Sequence, residues 1–301
     1  MSDHPAVPDF DATGQACLNC GTERIGDWCH DCGQKKLNPE QQTLRWLLGQ
    51  FIGKLTSMDG KLPRSLAALA FQPGRLGRDW LEGRRVRWTS PFALFLVVNL
   101  LYFLSPPVTD FNLPLIDQLN GQWYSGWVLE RVDARFPSLD AWLTGFGPPA
   151  APEGYREFEE RFNQRSEGLS KTLLILHVPL LALALLLLHP KRRLHYVEHF
   201  VVALHQWTFL LLMLIVVSPV ATLSSYVMFT LGWTSAPEAG EAAWRLGILV
   251  VILLYLLVHL KRAYAQSWPL SFAKAGPAFI SCVLAHLAYR AALIALTLTL
   301  I

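Results

Sequence analysis

Residues Val197–Pro219 read VEHFVVALHQWTFLLLMLIVVSP, with one acidic side chain, Glu198, near the start and none after it. A stretch of this length and polarity crosses a bilayer core, which takes about 20 apolar residues. Lipid offers backbone groups no hydrogen bonds, so such a segment satisfies its own as an α-helix. Four further runs are comparably apolar: Phe92–Val108, Thr172–His189, Trp244–Leu260 and Pro277–Ile301. The 301-residue chain is 52% hydrophobic and 16% charged, whereas soluble domains carry about 25% charged residues. The expected fold is an all-α polytopic membrane protein with about five transmembrane helices, near 92–108, 172–189, 197–219, 244–260 and 277–301. The first is the shortest, and Ser90-Pro91 supplies its start as an N-cap serine and an N1 proline. Ala221–Trp233 is expected to extend the third helix or to lie in the outer interface, not to form a sixth span.

The loops alternate in charge. Residues 35–91 hold eleven Lys/Arg and four Asp/Glu, and the loop 106–171 holds six and ten. Lys191-Arg192-Arg193 follows the second run, an acidic turn with Glu238 and Glu241 follows the third, and Lys261, Arg262 and Lys274 follow the fourth. The positive-inside rule then places the N-terminus in the cytosol and Ile301 outside. No apolar signal segment precedes the first run, so a bacterial inner (cytoplasmic) membrane is the expected location.

Before the spans stand Cys17-Leu-Asn-Cys20-Gly and Cys29-His-Asp-Cys32-Gly. Two CxxC knuckles, each followed by glycine, have the spacing of a four-thiolate zinc site. Gly21 and Gly33 permit the positive φ that such turns take. A reducing cytosol favours thiolate ligands over disulfides. Four protein ligands close the coordination shell, so the zinc is expected to be structural. Residues 1–34 hold one Arg and six Asp/Glu, the wrong sign for a nucleic-acid partner. A cytosolic protein is the better expected partner for this ribbon.

The chain divides into a leader at 1–15, the zinc ribbon at 16–34, a basic amphipathic helical collar at 41–90 and the membrane domain at 91–301, whose outer loop runs 109–171. Within the collar, Leu44, Leu47, Leu48, Phe51, Ile52 and Leu55 form an apolar stripe at helical spacing. The basic stretch 35–91 either lies on anionic lipid or packs on the bundle. In the outer loop, Trp123, Tyr124, Trp127 and Trp142 suit an interfacial belt. Glu153–Lys171 reads as a charged helix with Phe158, Phe162 and Leu169 on one side.

Several longer motifs carry a family resemblance: C-G-Q-K at Cys32–Lys35, M-D-G-K-L-P-R-S-L at Met58–Leu66, Q-P-G-R-L-G-R-D-W-L-E-G-R-R-V-R-W at Gln72–Trp88, and Y-V-E-H-F-V-V-A-L-H at Tyr196–His205. The chain resembles the bacterial membrane family called domain of unknown function 3667. The resemblance implies an N-terminal zinc ribbon followed by a multi-span domain, and no activity or catalytic residue.

Two further sets of residues are candidates for chemistry. His195, Glu198 and His199, with His259 from another span, are candidates for a second metal site or a proton relay. The H-x-x-E-H order also matches an inverted metalloprotease motif. The plainer reading is interfacial histidines packed under headgroups. Asn99, His177, His205, Gln206, His286 and Arg290 lie inside expected spans, about 12–20 Å from the cytosolic ends at about 1.5 Å per residue. Cys282, a small packing residue, shares a helical face with His286 and Arg290. Either Asn99, His177, His205, His286 and Arg290 mark a polar path for a small anion or lipid, or Arg290 snorkels from a tilted helix. Three functions follow: a non-enzymatic docking or scaffold protein, a transporter or channel through Arg290, His205 and His286, and an intramembrane metal enzyme at His195, Glu198 and His199. The first is preferred.

Overall fold

The computed structural model describes residues 16–36, 43, 60–104, 111–147, 150–233 and 241–301. The leader 1–15 and the stripe Leu44–Leu55 lie outside the described residues. The described chain is helical, with two isolated β-bridges in the ribbon. Eleven α-helices follow in order: α1 Lys61–Phe71, α2 Arg75–Leu81, α3 Pro91–Leu104, α4 Leu115–Leu119, α5 Ser125–Asp133, α6 Leu139–Leu143, α7 Tyr155–Leu173, α8 His177–Leu188, α9 Tyr196–Thr230, α10 Glu241–Ala263 and α11 Trp268–Leu300. A 3₁₀ turn, Leu174–Leu176, joins α7 to α8.

Among the described residues, four stretches are long and apolar enough to cross a membrane: Tyr155–Leu188, Tyr196–Thr230, Leu246–Ala263 and Trp268–Leu300. The first expected span is the shorter apolar helix α3, 14 residues long, or about 21 Å at 1.5 Å per residue. Ser90 starts it as anticipated, its Oγ accepting the Ala93 N–H at 3.4 Å. The α9 helix runs 35 residues without ending at Pro219, so Ala221–Thr230 continues the third span. Likewise α11 begins nine residues before Pro277 and carries that proline inside it. A proline breaks a helix only locally when neighbouring residues absorb the lost bond.

The chain forms two compact units. The first holds the ribbon, α1–α3, α8–α10 and α11 as far as Leu284. Within it α9 is the hub: residues 197–211 are buried throughout, and α3, α8 and α10 pack on it. Gly77 of α2 packs between Val202 of α9 and Ala263 of α10, which a Cβ at Gly77 would touch at 3.5 and 3.6 Å.

The second unit comprises residues 107–176 and 285–301. The expected outer loop is therefore folded. Leu115, Leu119, Val128, Val132, Leu139, Tyr155, Phe158, Phe162 and Ile294 make its core. The α7 helix puts Tyr155, Phe158 and Phe162 on its buried face and its charges outward. Asn163 Oδ1 accepts the Leu115 N–H at 2.8 Å, and Tyr289 O–H donates to the Phe111 carbonyl at 2.8 Å. Of the four belt candidates, Trp123 and Trp127 are exposed, whereas Trp142 packs against Tyr155.

Candidate metal centre and buried histidine cluster

The two knuckles have the same local architecture. In the first, Cys17 N–H donates to Thr22 O at 2.8 Å and Gly21 N–H to Cys17 O at 2.7 Å. In the second, Cys29 N–H donates to Gln34 O at 2.8 Å and Gly33 N–H to Cys29 O at 2.9 Å. One bridge flanks each, Ala16 with Glu23 and Trp28 with Lys35. Gly21 and Gly33 adopt φ of 81° and 71°, which only glycine takes without strain.

These turns gather the four Sγ atoms of Cys17, Cys20, Cys29 and Cys32 within 4.8 Å of one another. Cys17 and Cys32 lie 3.6 Å apart, and Cys20 and Cys29 3.5 Å. Bonds of about 2.3 Å to a tetrahedral ion put ligand sulfurs about 3.8 Å apart. The residues therefore fit a four-thiolate metal ion. The backbone N–H of Cys32 holds the Cys29 thiol down, whereas burial pushes the Cys32 thiol up, so the protons of this coupled pair are held unequally.

The ribbon is tied to the collar through Gln34. This side chain is buried, donates to the Gly83 carbonyl at 2.8 Å and accepts the Arg85 N–H at 3.2 Å. Both backbone groups lie in the turn between α2 and α3, where Gly83 has φ of 82°. Asp79 organises that turn. It accepts from Trp88 Nε1 at 2.8 Å and from Arg84 Nε at 3.1 Å. Arg85 lies over the Trp80 ring, 4.0 Å from its centroid. Burial pushes Arg85 down to about 10, with Glu198 acting in the opposite direction. Thr89 N–H closes the collar onto Ser65 Oγ at 2.9 Å. Of the collar's basic residues, Arg78 and Arg84 are thus engaged by Glu82 and Asp79.

Of the second metal candidate set the structure keeps His195 and Glu198 together, Nδ1 to Oε2 at 3.4 Å, without bringing a third ligand to metal distance among the described residues. His195 is not on the helix: it is the N-cap of α9, with ψ of 158°. It does not share a helical face with His199 in the way the motif assumed. Glu198 accepts the His195 N–H at 2.6 Å, a capping role. His199 Nδ1 bonds the Tyr264 hydroxyl at 2.8 Å. His259 is buried near Tyr255 on its own helix, with ring centroids 5.4 Å apart. Among the described residues, the four cysteines alone form a cluster at metal-ligand distances.

The polar-path candidates are divided between the units. His177, His205 and Asn99 belong to the first, and His286 and Arg290 to the second. His177 stacks on Trp207 at 3.9 Å. His205 Nδ1 bonds the Val201 carbonyl at 2.9 Å. Gln206 donates to Cys282 Sγ at 3.2 Å. His286 meets the Phe111 ring at 5.3 Å, and Arg290 lies 5.3 Å from the Tyr124 ring centroid. The residues that sequence reasoning missed are Gln34, Asp79 and Tyr264. Each is an ordinary residue type, and only the C-G-Q-K and R-D-W motifs marked the first two.

The fold and the thiolate cluster define an all-helical membrane protein with a four-cysteine, metal-competent ribbon. The family model described as "Protein of unknown function (DUF3667)" matches residues 59–103, which cover α1, α2 and all but the last residue of α3. No curated protein and no solved structure matches the chain.

Proposed function

We propose that this is a non-enzymatic docking or scaffold protein of the bacterial inner membrane, with its ribbon in the cytosol and its C-terminus outside. The observation that carries this reading is the Gln34 clamp, which couples a closed four-thiolate ribbon to the backbone turn entering α3. Zinc suits four thiolates in a reducing compartment. The ribbon also presents Ile25 and Trp28 outward, 88% and 61% exposed, an apolar surface for a cytosolic protein partner. The remaining exposed basic residues before α3 suit anionic lipid.

The test uses the intact chain carrying a photo-crosslinking residue at position 28. The expected result is one defined protein adduct in cells, lost on Ile25→Ser, with metal content unchanged. An adduct insensitive to Ile25→Ser, or none at all, contradicts the docking role.

A further inference from the structure

Where α8 and α10 end and α9 and α11 begin, the first unit contains a buried polar cluster that neither ribbon nor collar uses. His189, His199, Tyr264 and Gln266 form its floor, each under 10% exposed. The His189 ring stacks on Tyr264 at 3.8 Å and lies 6.0 Å from His199. His189 Nδ1 donates to the Leu185 carbonyl at 2.8 Å. The buried Tyr264 hydroxyl needs an acceptor, and His199 Nδ1 at 2.8 Å supplies it, which places the His199 proton on Nε2. His199 Nε2 is then a buried donor without an acceptor among the described residues, whereas the Gln266 side chain is in hydrogen-bond contact with His189, whose Nε2 is left as an acceptor. Buried donors are ordinarily satisfied, so His199 Nε2 calls for an explanation.

Two half-buried cations form the rim. Arg192 Nη2 donates to the Tyr264 carbonyl, and Lys274 Nζ to Gln266 Oε1 at 3.4 Å. Arg192 and Lys274 repel each other, and Lys274 is also felt by His189 and His199. Among the described residues neither cation pairs with a carboxylate within 4.0 Å. Glu198, whose charge is felt by Tyr264, is held by the His195 N–H and the field of Arg85. A metal cation is disfavoured beside two like charges. An oxyanion would accept from the idle donor and relieve the repulsion, and several donors on different sides suit a phosphate.

We propose that Arg192, Lys274 and His199, with Gln266 holding Lys274 in place, bind a phosphate group, borne by a lipid headgroup or free in solution. The site lies at the ends of membrane-length helices, where headgroups are found.

The experiment follows the thermal unfolding midpoint of the full chain in detergent, titrated separately with dioleoyl phosphatidic acid, dioleoylglycerol and inorganic phosphate. Ligand binding to the native state raises the midpoint in a saturable way. Phosphatidic acid is expected to do so and dioleoylglycerol is not. Lys274→Gln and Gln266→Leu are each expected to raise the half-saturating concentration at least about tenfold. Arg64→Gln, an exposed charge on α1, leaves it unchanged. Saturation by inorganic phosphate as well assigns a free-phosphate site, and saturation by the lipid alone assigns a headgroup site. The proposal is overturned if neither phosphate source gives a saturable shift, if dioleoylglycerol matches phosphatidic acid, or if Lys274→Gln binds like wild type or like Arg64→Gln.

Discussion

Gln34 joins two elements that sequence places 49 residues apart. Its truncation leaves a buried carbonyl and a buried N–H without partners, which costs about 1–3 kcal/mol. Gln34→Ala is therefore expected to lower the thermal midpoint while leaving the metal-to-protein ratio at its wild-type value. Ala265 tests the opposite direction. It closes α10 with φ of 46°, with Gln266 N–H bonded to Lys261 O at 3.1 Å and Ala265 N–H to Arg262 O at 3.3 Å. That is the Schellman pattern with alanine where glycine is usual. Ala265→Gly should stabilise the protein by about 1 kcal/mol in chemical unfolding. His189 carries a pH dependence. Burial lowers it from 6.5 to about 4, so between those values the unfolded chain binds a proton that the folded chain refuses. Stability should rise with pH across that window and fall on acidification through it. The groups facing His189 are Tyr264, His199, Gln266, Lys274 and, through Tyr264, Arg192. In His189→Gln the midpoint should vary less between pH 4 and 6.5 than in wild type.

Among the elements, the motif Gln72–Trp88 has a packing explanation. Gly74 has φ of 80°, and a Cβ there would stand 2.5 Å from the His259 carbonyl oxygen and 2.9 Å from the Ala263 nitrogen. Backbone cannot move aside as a side chain can, so Gly74→Ala should destabilise by about 3 kcal/mol through overpacking and strain. A measured loss under 1 kcal/mol would show that α2 does not seat on the end of α10. Much of this level was legible beforehand. Apolar runs located α8, α9, α10 and α11, because a lipid-facing helix needs an uninterrupted run, and the CxxC spacing located the ribbon. The extension of α9 past Pro219 was one of two readings the sequence allowed, whereas the early start of α11 was not legible, because Pro277 looked like its beginning and only tertiary support decides whether a proline ends a helix. The H-x-x-E-H motif misled for a similar reason: it assumed that His195 was helical, whereas Glu198 folds back to cap it.

At the scale of the whole molecule, the folded second unit and the tie between ribbon and collar had the weakest signals in the sequence. Both rest on contacts remote in the chain, such as Tyr289 with Phe111 and Gln34 with Gly83, and no local periodicity encodes those. In the proposed orientation the ribbon and the Lys261–Arg262 turn share the cytosolic side of the membrane. Membrane-impermeant thiol labelling of single cysteines introduced at Glu23 and Trp123, in an otherwise cysteine-free chain, is expected to modify position 123 alone in intact cells. We infer that a metal-bound ribbon braces the collar. Hydrogen–deuterium exchange on the full chain, before and after a chelator removes the metal, tests it most directly. Metal removal is expected to speed exchange at the ribbon and at Gly83–Trp88 together, with Val197–Leu211 unchanged. Faster exchange confined to the ribbon, with Gly83–Trp88 as protected as before, would contradict it.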